Sequence, residues 1–199
     1  MRVERRGDVS RATGETHVRL VLALDGTGEG ARDSGIGFFD HLLDALARHG
    51  HLDLDLQVTG DLETGAHHSV EDTGIALGQA LDEALGDRRG IVRFGQATVP
   101  MDEARASAAI DVSGRPYAAF EGELPPVSMG GFDADLAEEF FRAVAGAAKL
   151  TLHVQIERGT NAHHMVEAAF KAFARALREA VSVEPGETGV PSTKGTLND

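Results

Sequence analysis

The stretch NAHHMVEAAFKAF, residues 161–173, places two histidines side by side, with a glutamate three residues after the second. An earlier stretch, AHHSVEDTGIAL at residues 66–77, has the same His-His-x-x-Glu arrangement. In both stretches the apolar residues recur at the spacing of an amphipathic helix, so each motif is predicted to open a helix. Because the polar cluster and the apolar stripe recur together, they indicate an internal duplication.

The register of the two halves supports this interpretation. A shift of 96 residues superposes the two motifs, placing His67, His68 and Glu71 on His163, His164 and Glu167. A shift of 98 residues superposes the helical stretches that precede them and places His41 opposite Glu139. A duplicated apolar stripe is explained by two halves that share a core, but that explanation does not require the histidines.

Alternating apolar and polar residues predict four strands, and helical spacing predicts two more helices, at residues 37–50 and 133–148. The predicted strands are HVRLVLALDG (17–26), LDLDLQV (52–58), RASAAIDVSG (105–114) and KLTLHVQI (149–156), with extra strands at residues 2–9 and 91–101. We therefore predict an α+β fold with two similar halves, each containing a mixed sheet of about four strands and two helices. No linker separates the halves, so we expect one domain over residues 1–199, with pseudo-repeats of about 1–90 and 91–185 and a turn-rich tail at 186–199.

Composition limits the possible functions. The 199 residues carry a formal net charge of −13, which argues against nucleic-acid binding and against an anionic membrane surface. No stretch is long and apolar enough to predict a membrane span, and the start of the chain lacks the apolar run of a secretory signal, so we expect a cytoplasmic protein. There is no cysteine, and any metal ion must therefore be held by His, Asp or Glu.

The doubled motif predicts metal binding. On a helix, His67, Glu71 and His68 fall at roughly 0°, 40° and 100°, so adjacent histidines are placed to serve two ions, and the glutamate can join the first. Two copies of the motif therefore suggest two metals, with His41 and Glu139 as additional ligands from neighbouring helices. For a lone histidine such as His17 or His153, a surface or core role is the more common explanation. Two structural metal ions that hold subunits together would also account for the motifs.

Basic residues are scarce in this chain. Arg93, Arg115 and Lys194 all lie at turns or element ends, where Arg and Lys beside Ser and Gly can hold a phosphate group. The stretch PSTKG is not a Walker motif, because the spaced glycines are missing. Glu15 precedes a strand and is a weaker candidate for a general acid or base.

Five motifs, in order and covering nearly the whole chain, resemble the imidazoleglycerol-phosphate dehydratase family of histidine biosynthesis. They are GFFDHLLDALARHG, GDLETGAHHSVEDTGIALGQAL, PMDEARASAAIDVSGRP, NAHHMVEAAFKAFARALR and PSTKG. The resemblance implies removal of water from imidazole glycerol phosphate to give imidazole acetol phosphate, with two Mn²⁺ ions per active site. It also implies a ribosomal-protein-S5-domain-2-like fold and trimers that assemble into cages of about two dozen subunits, with active sites at their interfaces.

The resemblance further implies a role for individual residues. The metal ligands would be His41, His67, His68, Glu71, His163, His164 and Glu167. Several family members carry histidine at the position of Glu139, which departs from that pattern although a carboxylate can coordinate Mn²⁺. Substrate contacts would be Glu15, His41, His49, Arg93, Arg115, Ser192, Thr193 and Lys194. Catalysis would involve Glu15, His67, Glu71, His163 and Glu167.

Chemistry explains why such a ligand set would suit this reaction. The proton to be lost lies on an unactivated carbon beside an imidazole, so metal ions on the ring nitrogens would favour the imidazolate and a diazafulvene-like intermediate. A di-metal hydrolase of a small phosphorylated metabolite would use the same ligands and is the alternative enzyme. A metal storage or assembly protein would need the histidines but would leave Arg93, Arg115 and PSTKG unexplained.

Overall fold

The buried faces of the strands explain how the first half folds. The protein is described by a computed structural model over residues 4–197. In the strand Thr16–Ala23, Val18, Leu20 and Leu22 are completely buried, while the residues between them lie on the opposite, more exposed face. This period of two lets one face of the sheet cover a helical layer.

The two halves have the same order of elements. The first contains β1 (Arg6–Ala12), β2 (Thr16–Ala23), β3 (Arg32–Asp33), α1 (Gly37–Gly50), β4 (Asp53–Gly60) and α2 (His67–Leu85), with a 3-10 turn at Leu62–Thr64. The second contains β5 (Phe94–Met101), β6 (Ala104–Asp111), β7 (Tyr117–Glu121), a small hairpin of β8 (Ser128–Met129) and β9 (Phe132–Asp133), α3 (Leu136–Ala148), β10 (Thr151–Arg158) and α4 (Ala162–Val181).

The two sheets also share one topology. Their strand orders are β1-β2-β4-β3 and β5-β6-β10-β7. In each sheet the first three strands are antiparallel neighbours, and the fourth pairs in parallel with the third. The predicted α+β duplication is therefore confirmed, with four helices and two mixed sheets of four strands.

Helices pack in pairs that join the two halves. Helix α2 packs on α3, and α1 packs on α4. A methyl group added at Gly78 would lie 2.6 Å from both the Ala147 Cβ and the Val144 carbonyl oxygen, and one at Gly74 would lie 2.8 Å from the Ala143 Cβ. These two glycines let α2 approach α3 closely, and the core is therefore common to both halves.

Phenylalanine rings extend this shared core. The ring of Phe140 on α3 lies 5.5 Å from that of Phe39 on α1 and 5.0 Å from that of Phe170 on α4, measured between centroids. All three side chains are completely buried. Their contacts fix the positions of helices from both halves relative to one another.

Four short strands were not predicted. Strands β3, β8 and β9 are each only two residues long, and β7 (YAAFE) shows no clear alternation of polarity. The first predicted strand, residues 2–9, is observed from Arg6, and its residues 2 and 3 lie outside the described part of the chain. Among the described residues, none of the helices is long and apolar enough to cross a lipid bilayer.

The close approach of α2 and α3 can be tested with two glycines. Gly78→Ala should lower the free energy of unfolding by about 1–3 kcal/mol, because the added methyl group meets backbone and Cβ atoms of α3. Gly146 lies in α3, and a methyl group there would meet nothing within 4 Å. Gly146→Ala should therefore keep or raise stability by up to about 1 kcal/mol through helix propensity. Urea unfolding measures both changes, and an equal effect at the two positions would contradict the packing.

Candidate metal and substrate site

A buried carboxylate joins the second motif to a histidine of the first half. The Glu167 Oε2 accepts hydrogen bonds from the His41 Nε2 at 3.0 Å and from the His163 Nε2 at 2.9 Å. One ligand atom from each residue lies within 4.8 Å of the others, so this triad could hold a metal ion. It depends on the α1–α4 packing, because His41 belongs to α1 and the other two residues to α4.

Glu167 stays ionised although its side chain is buried. Burial alone would raise the pKa of this carboxyl, but hydrogen bonds from Lys171 and the two imidazoles lower it to about 2. The Lys171 Nζ lies 2.6 Å from the Glu167 Oε1, the oxygen that the histidines do not use. Glu167 is therefore an anion at neutral pH, as a metal ligand must be.

Local structure orients this triad. The Asn161 side chain caps α4 by accepting hydrogen bonds from the backbone N–H groups of His163 and His164. The Phe38 ring lies edge-on to His163, with 4.8 Å between ring centroids, and so limits rotation of that imidazole. The cap fixes where the motif begins, and the aromatic contact fixes where one of its rings points.

The first motif forms a looser group at the start of α2. The His67 Nε2 lies 3.8 Å from the Glu71 Oε2, and the His68 Nε2 lies 3.7 Å from the Glu15 Oε1. These side chains are more exposed than Glu167. Glu15 comes from the β1–β2 turn, so the structure brings the predicted acid or base next to the predicted metal ligand His68.

The second histidine of each motif is held by a carboxylate. The His68 Nδ1 donates to Asp61 at 3.0 Å, and the His164 Nδ1 donates to Glu103 at 2.8 Å. Because a carboxylate in these pairs can only accept, the Nδ1 atoms carry the hydrogen, and the Nε2 atoms of the neutral rings are free to bind a metal. These hydrogen bonds, which Asp61 and Glu103 accept, raise the pKa of His68 and of His164.

Glu139 occupies the position on α3 that corresponds to His41 on α1. No hydrogen bond or ion pair joins Glu139 to a histidine within residues 4–197. Its negative charge instead contributes, after that of Glu138, to raising the pKa of Arg142. The two halves therefore differ here, because the first motif lacks the close third ligand that His41 gives the second.

Arg93 connects the predicted phosphate contacts. Its guanidinium donates to the Asp111 carboxylate at 2.7 and 3.1 Å, and its Nη1 donates to the Pro191 carbonyl at 2.9 Å. This contact attaches the tail segment PSTKG beside Arg93. The chain turns at Ser192, whose Oγ accepts a hydrogen bond from the Lys194 backbone N–H at 3.2 Å. Lys194 is exposed, and its ammonium group has no carboxylate within 4.0 Å in the described chain.

The remaining predicted substrate contacts belong to three different segments. Arg115 is exposed in the turn after β6, where its backbone N–H donates to the Ser113 Oγ. Thr193 is exposed in the tail. His49 lies half-buried near the end of α1, and burial together with the charges of Lys171 and Arg175 lowers its pKa.

The phosphate contacts and the Glu167 triad lie at opposite ends of α4. The Arg93 backbone N–H donates to the Ala180 carbonyl at 2.8 Å, near the end of the helix, whereas Glu167 lies near its start. Thirteen residues of helix separate Ala180 from Glu167, which corresponds to roughly 20 Å. Within one subunit, Arg93 and the tail segment attached to it are therefore far from the triad.

Three site residues were not predicted. Lys171 follows Glu167 by four residues, and this helical spacing could have identified it. Asp61 and Glu103 reach the histidines from a strand end and from the β5–β6 turn, and no spacing within the sequence indicates those contacts.

Comparisons with known proteins identify the family that this chain resembles. The sequence profile described as Imidazoleglycerol-phosphate dehydratase matches residues 34–177. The chain is 57% identical over 194 residues to an imidazoleglycerol-phosphate dehydratase of Symbiobacterium thermophilum, covering 98% of this chain and 93% of the relative. It is 55% identical to that of Moorella thermoacetica, covering 96% and 97%. The crystal structure of imidazoleglycerol-phosphate dehydratase from Staphylococcus aureus superposes with a TM-score of 0.82 at 38% identity, covering 90% of this chain and 99% of that one.

The Glu103 contact predicts a shift in the titration of His164. In metal-free protein, Glu103→Gln should lower the pKa of His164, because the amide removes the negative charge that stabilises the protonated ring. The stability from that charged pair is fully present below the unfolded histidine pKa of about 6.5 and is lost as the pH rises through the raised folded pKa. An NMR titration of the His164 ring measures the shift.

A control variant separates the effect of the Glu103 contact from the general effect of removing one negative charge. Glu157→Gln removes one negative charge from β10, where Glu157 pairs with Arg105. It should leave the His164 titration nearly unchanged. An unaltered His164 pKa in Glu103→Gln would show that the carboxylate does not hold the ring.

Proposed function

The chain belongs to the imidazoleglycerol-phosphate dehydratase family, and we propose that it acts as a metal-dependent dehydratase on D-erythro-imidazole glycerol 3-phosphate. Its role is that of a hydro-lyase in histidine biosynthesis, with imidazole acetol phosphate and water as products. The observation that carries the metal dependence is the Glu167 triad, in which one ionised carboxylate is shared by two imidazoles. The proposal includes one domain with two pseudo-repeats and a tail that binds substrate.

The ligand set fits manganese. Carboxylate oxygens lean toward Mn²⁺ or Mg²⁺, and Glu167 supplies one that is ionised although buried, whereas imidazole nitrogens also suit Zn, Fe or Ni. The choice of manganese among these ions follows the family resemblance. We assign two ions to each active site, with Glu139 as an added carboxylate ligand. The other ligands are His41, His67, His68, Glu71, His163, His164 and Glu167. Bound to the ring nitrogens of the substrate, such ions would supply Lewis-acid stabilisation of negative charge.

The protein's own residues carry the proton transfers. Glu15 lies on the β1–β2 turn next to His68, exposed enough to reach a substrate atom, and serves as the general acid and base. Asp61 and Glu103 keep the Nε2 atoms of His68 and His164 turned toward the site. Arg93, Arg115, Ser192, Thr193 and Lys194 would hold the phosphate group, with His49 at the edge of the pocket, and so supply binding energy remote from the reacting carbon.

A complete site requires more than one subunit. Since the phosphate contacts and the Glu167 triad lie at opposite ends of α4, each site would combine the tail of one subunit with the motifs of another. The proposed assembly is a 24-mer of trimers in the cytoplasm. This arrangement also favours the dehydratase over a di-metal hydrolase, because two clusters suit the two nitrogens of a ring. Incubation with Mn²⁺ and imidazole glycerol phosphate separates the two reactions, since only a dehydratase forms the ketone.

Glu15→Gln should lower the catalytic rate at least about a hundredfold, in the range for one acid-base group. The amide keeps the size of the side chain but cannot exchange the proton. Metal content and substrate affinity should stay close to those of the unaltered protein, because Glu15 is not assigned as a ligand. Ketone formation and metal analysis measure the two effects, and full turnover would remove Glu15 from the mechanism.

Replacement of one motif histidine should remove metal and activity together. His67→Ala and His164→Ala each delete a ligand atom, and we expect manganese content and ketone formation to fall in parallel. His17→Ala is the control, because His17 lies on an exposed position of β2 outside the motifs. Unchanged manganese occupancy in either motif variant would contradict the ligand assignment.

Mixing two inactive variants tests the shared site. Glu167→Gln damages the metal triad and Lys194→Ala the phosphate contacts, so neither homo-oligomer should be active. After dissociation, mixing and reassembly, random association of equal amounts should restore up to about a quarter of the activity, because some sites combine the intact part of each subunit. Reassembled single variants are the controls. Assembled mixtures without recovered activity would place both groups of residues in one subunit.

A further inference from the structure

Cations without an acidic partner are concentrated in one groove. The chain has 32 Asp and Glu against 19 Lys and Arg, so most basic side chains are expected to pair with a carboxylate. Eleven of the 18 Lys and Arg between residues 4 and 197 have a carboxylate oxygen within 4.0 Å. Of the seven others, Arg48, Arg175 and Arg178 line the same groove.

This arginine groove lies between the end of α1 and the last turns of α4. It has a volume of ≈ 330 Å³ and is lined by Thr27, Arg48, His49, His51, Arg175 and Arg178. The Arg178 Nη1 lies 3.0 Å from the His51 Nε2, and the Arg48 Nη1 donates to the Thr27 carbonyl at 3.4 Å. All three guanidinium groups face solvent, so an ion that arrives from solution can reach them.

The groove continues a charged stripe that begins at the metal triad. On α4, residues Glu167, Lys171, Arg175 and Arg178 fall within about 80° of one another around the helix axis. Lys171 is bound to Glu167, and Arg175 and Arg178 follow it toward the end of the helix. The rise of an α-helix places Arg178 roughly 16 Å from Glu167 along the axis.

Helix ends account for only part of this charge. Arg48 and His49 lie in the last turn of α1, and Arg178 in the last turn of α4, where cations interact favourably with the helix dipole. Arg175 lies earlier, and the like charges repel one another across the groove. Burial and, after it, the charges of Lys171, Arg175 and Arg48 lower the pKa of His49, which lines the same groove.

We propose that the arginine groove is an anion site that captures the phosphate group of the substrate before the substrate reaches the Glu167 triad. Guanidinium groups suit a phosphate monoester dianion because they combine charge with paired N–H donors. The inference rests on the proposed function, since the anion captured is the phosphate group of the proposed substrate. The groove is distinct from Arg93 and the tail, because Arg178 lies about 160° around α4 from Ala180, whose carbonyl accepts from the Arg93 backbone N–H. His49 lines the groove and lies at the edge of the proposed pocket, while Arg178 lies roughly 16 Å from Glu167 along the helix axis, so the groove leads toward the site. In a chain of net charge −13, it offers an approaching dianion a local positive field.

Kinetics at different salt concentrations test the capture. Arg175→Gln/Arg178→Gln should lower kcat/KM roughly tenfold at low ionic strength, within the range of electrostatic steering, and leave kcat unchanged. The difference should nearly vanish at about 1 M salt, where the Debye length falls to about 3 Å. A loss that persists at high salt, a parallel loss of kcat or an unchanged kcat/KM would overturn the proposal.

Two further variants control for charge and for folding. Arg19→Gln/Arg89→Gln removes the same charge at exposed arginines outside the groove and should change kcat/KM less than about twofold, since distant surface charges are screened. An equal loss of kcat/KM in this control would show that the net charge of the protein, and not the groove, causes the effect, and would overturn the proposal. Arg175→Lys/Arg178→Lys keeps the charge and should retain most of the wild-type kcat/KM. The lysine variant also tests the proposal if the glutamine variant fails to assemble. If the two arginines served only a structural role, kcat/KM of the lysine variant would fall at all salt concentrations.

Binding of inorganic phosphate separates this inference from the proposed function. Calorimetric titration of the assembled protein should count two phosphate sites per subunit, and Arg175→Gln/Arg178→Gln should remove one of them. Arg115→Gln/Lys194→Gln should remove the other. If no ketone forms but the groove still binds phosphate, the proposed reaction is wrong and the anion site stands. If the glutamine pair binds as much phosphate as the wild-type protein, the groove is not an anion site.

Discussion

The packing of helices across the two halves is the constraint on which the site depends. Pairing of α1 with α4 brings His41 from one half against Glu167 from the other, and pairing of α2 with α3 requires glycine at positions 74 and 78. Two separately folded halves could not form the triad, since its ligands come from both. The same helix packing therefore forms both the core and the candidate metal site. A change that separates these helices would affect the stability of the protein and the geometry of the ligands together.

Much of the fold could be predicted because the duplication repeats each pattern. The register between His67 and His163 identified the motif helices, and alternation of apolar residues located the longer strands. Strand β3 escaped prediction because two residues carry no periodicity, and β7 because Tyr117–Glu121 is mostly half-buried without clear alternation. The parallel pairing of β7 with β10 is a tertiary contact that local patterns do not encode.

The site was predictable where its residues share a helix and less so where they do not. Spacing alone brought His163 and Glu167 together, and the repeat added His41. Asp61 and Glu103 lie on other elements, and only the fold shows that they hold the second histidine of each motif. The repeat also placed Glu139 where His41 lies in the first half, but within residues 4–197 Glu139 has no hydrogen bond or ion pair with a histidine, whereas His41 contacts Glu167. The two motifs are thus related by duplication without having equivalent surroundings.

The central claim is that the two His-His-x-x-Glu motifs hold two manganese ions in sites completed by a second subunit. Anomalous diffraction at the manganese edge, from crystals of the assembled protein grown with Mn²⁺, tests it most directly. We predict two anomalous peaks per subunit, both bound by side chains of the two motifs and both beside the PSTKG tail of a neighbouring subunit. A single peak per subunit, or two peaks with no part of a neighbouring subunit's tail beside them, would contradict this shared site.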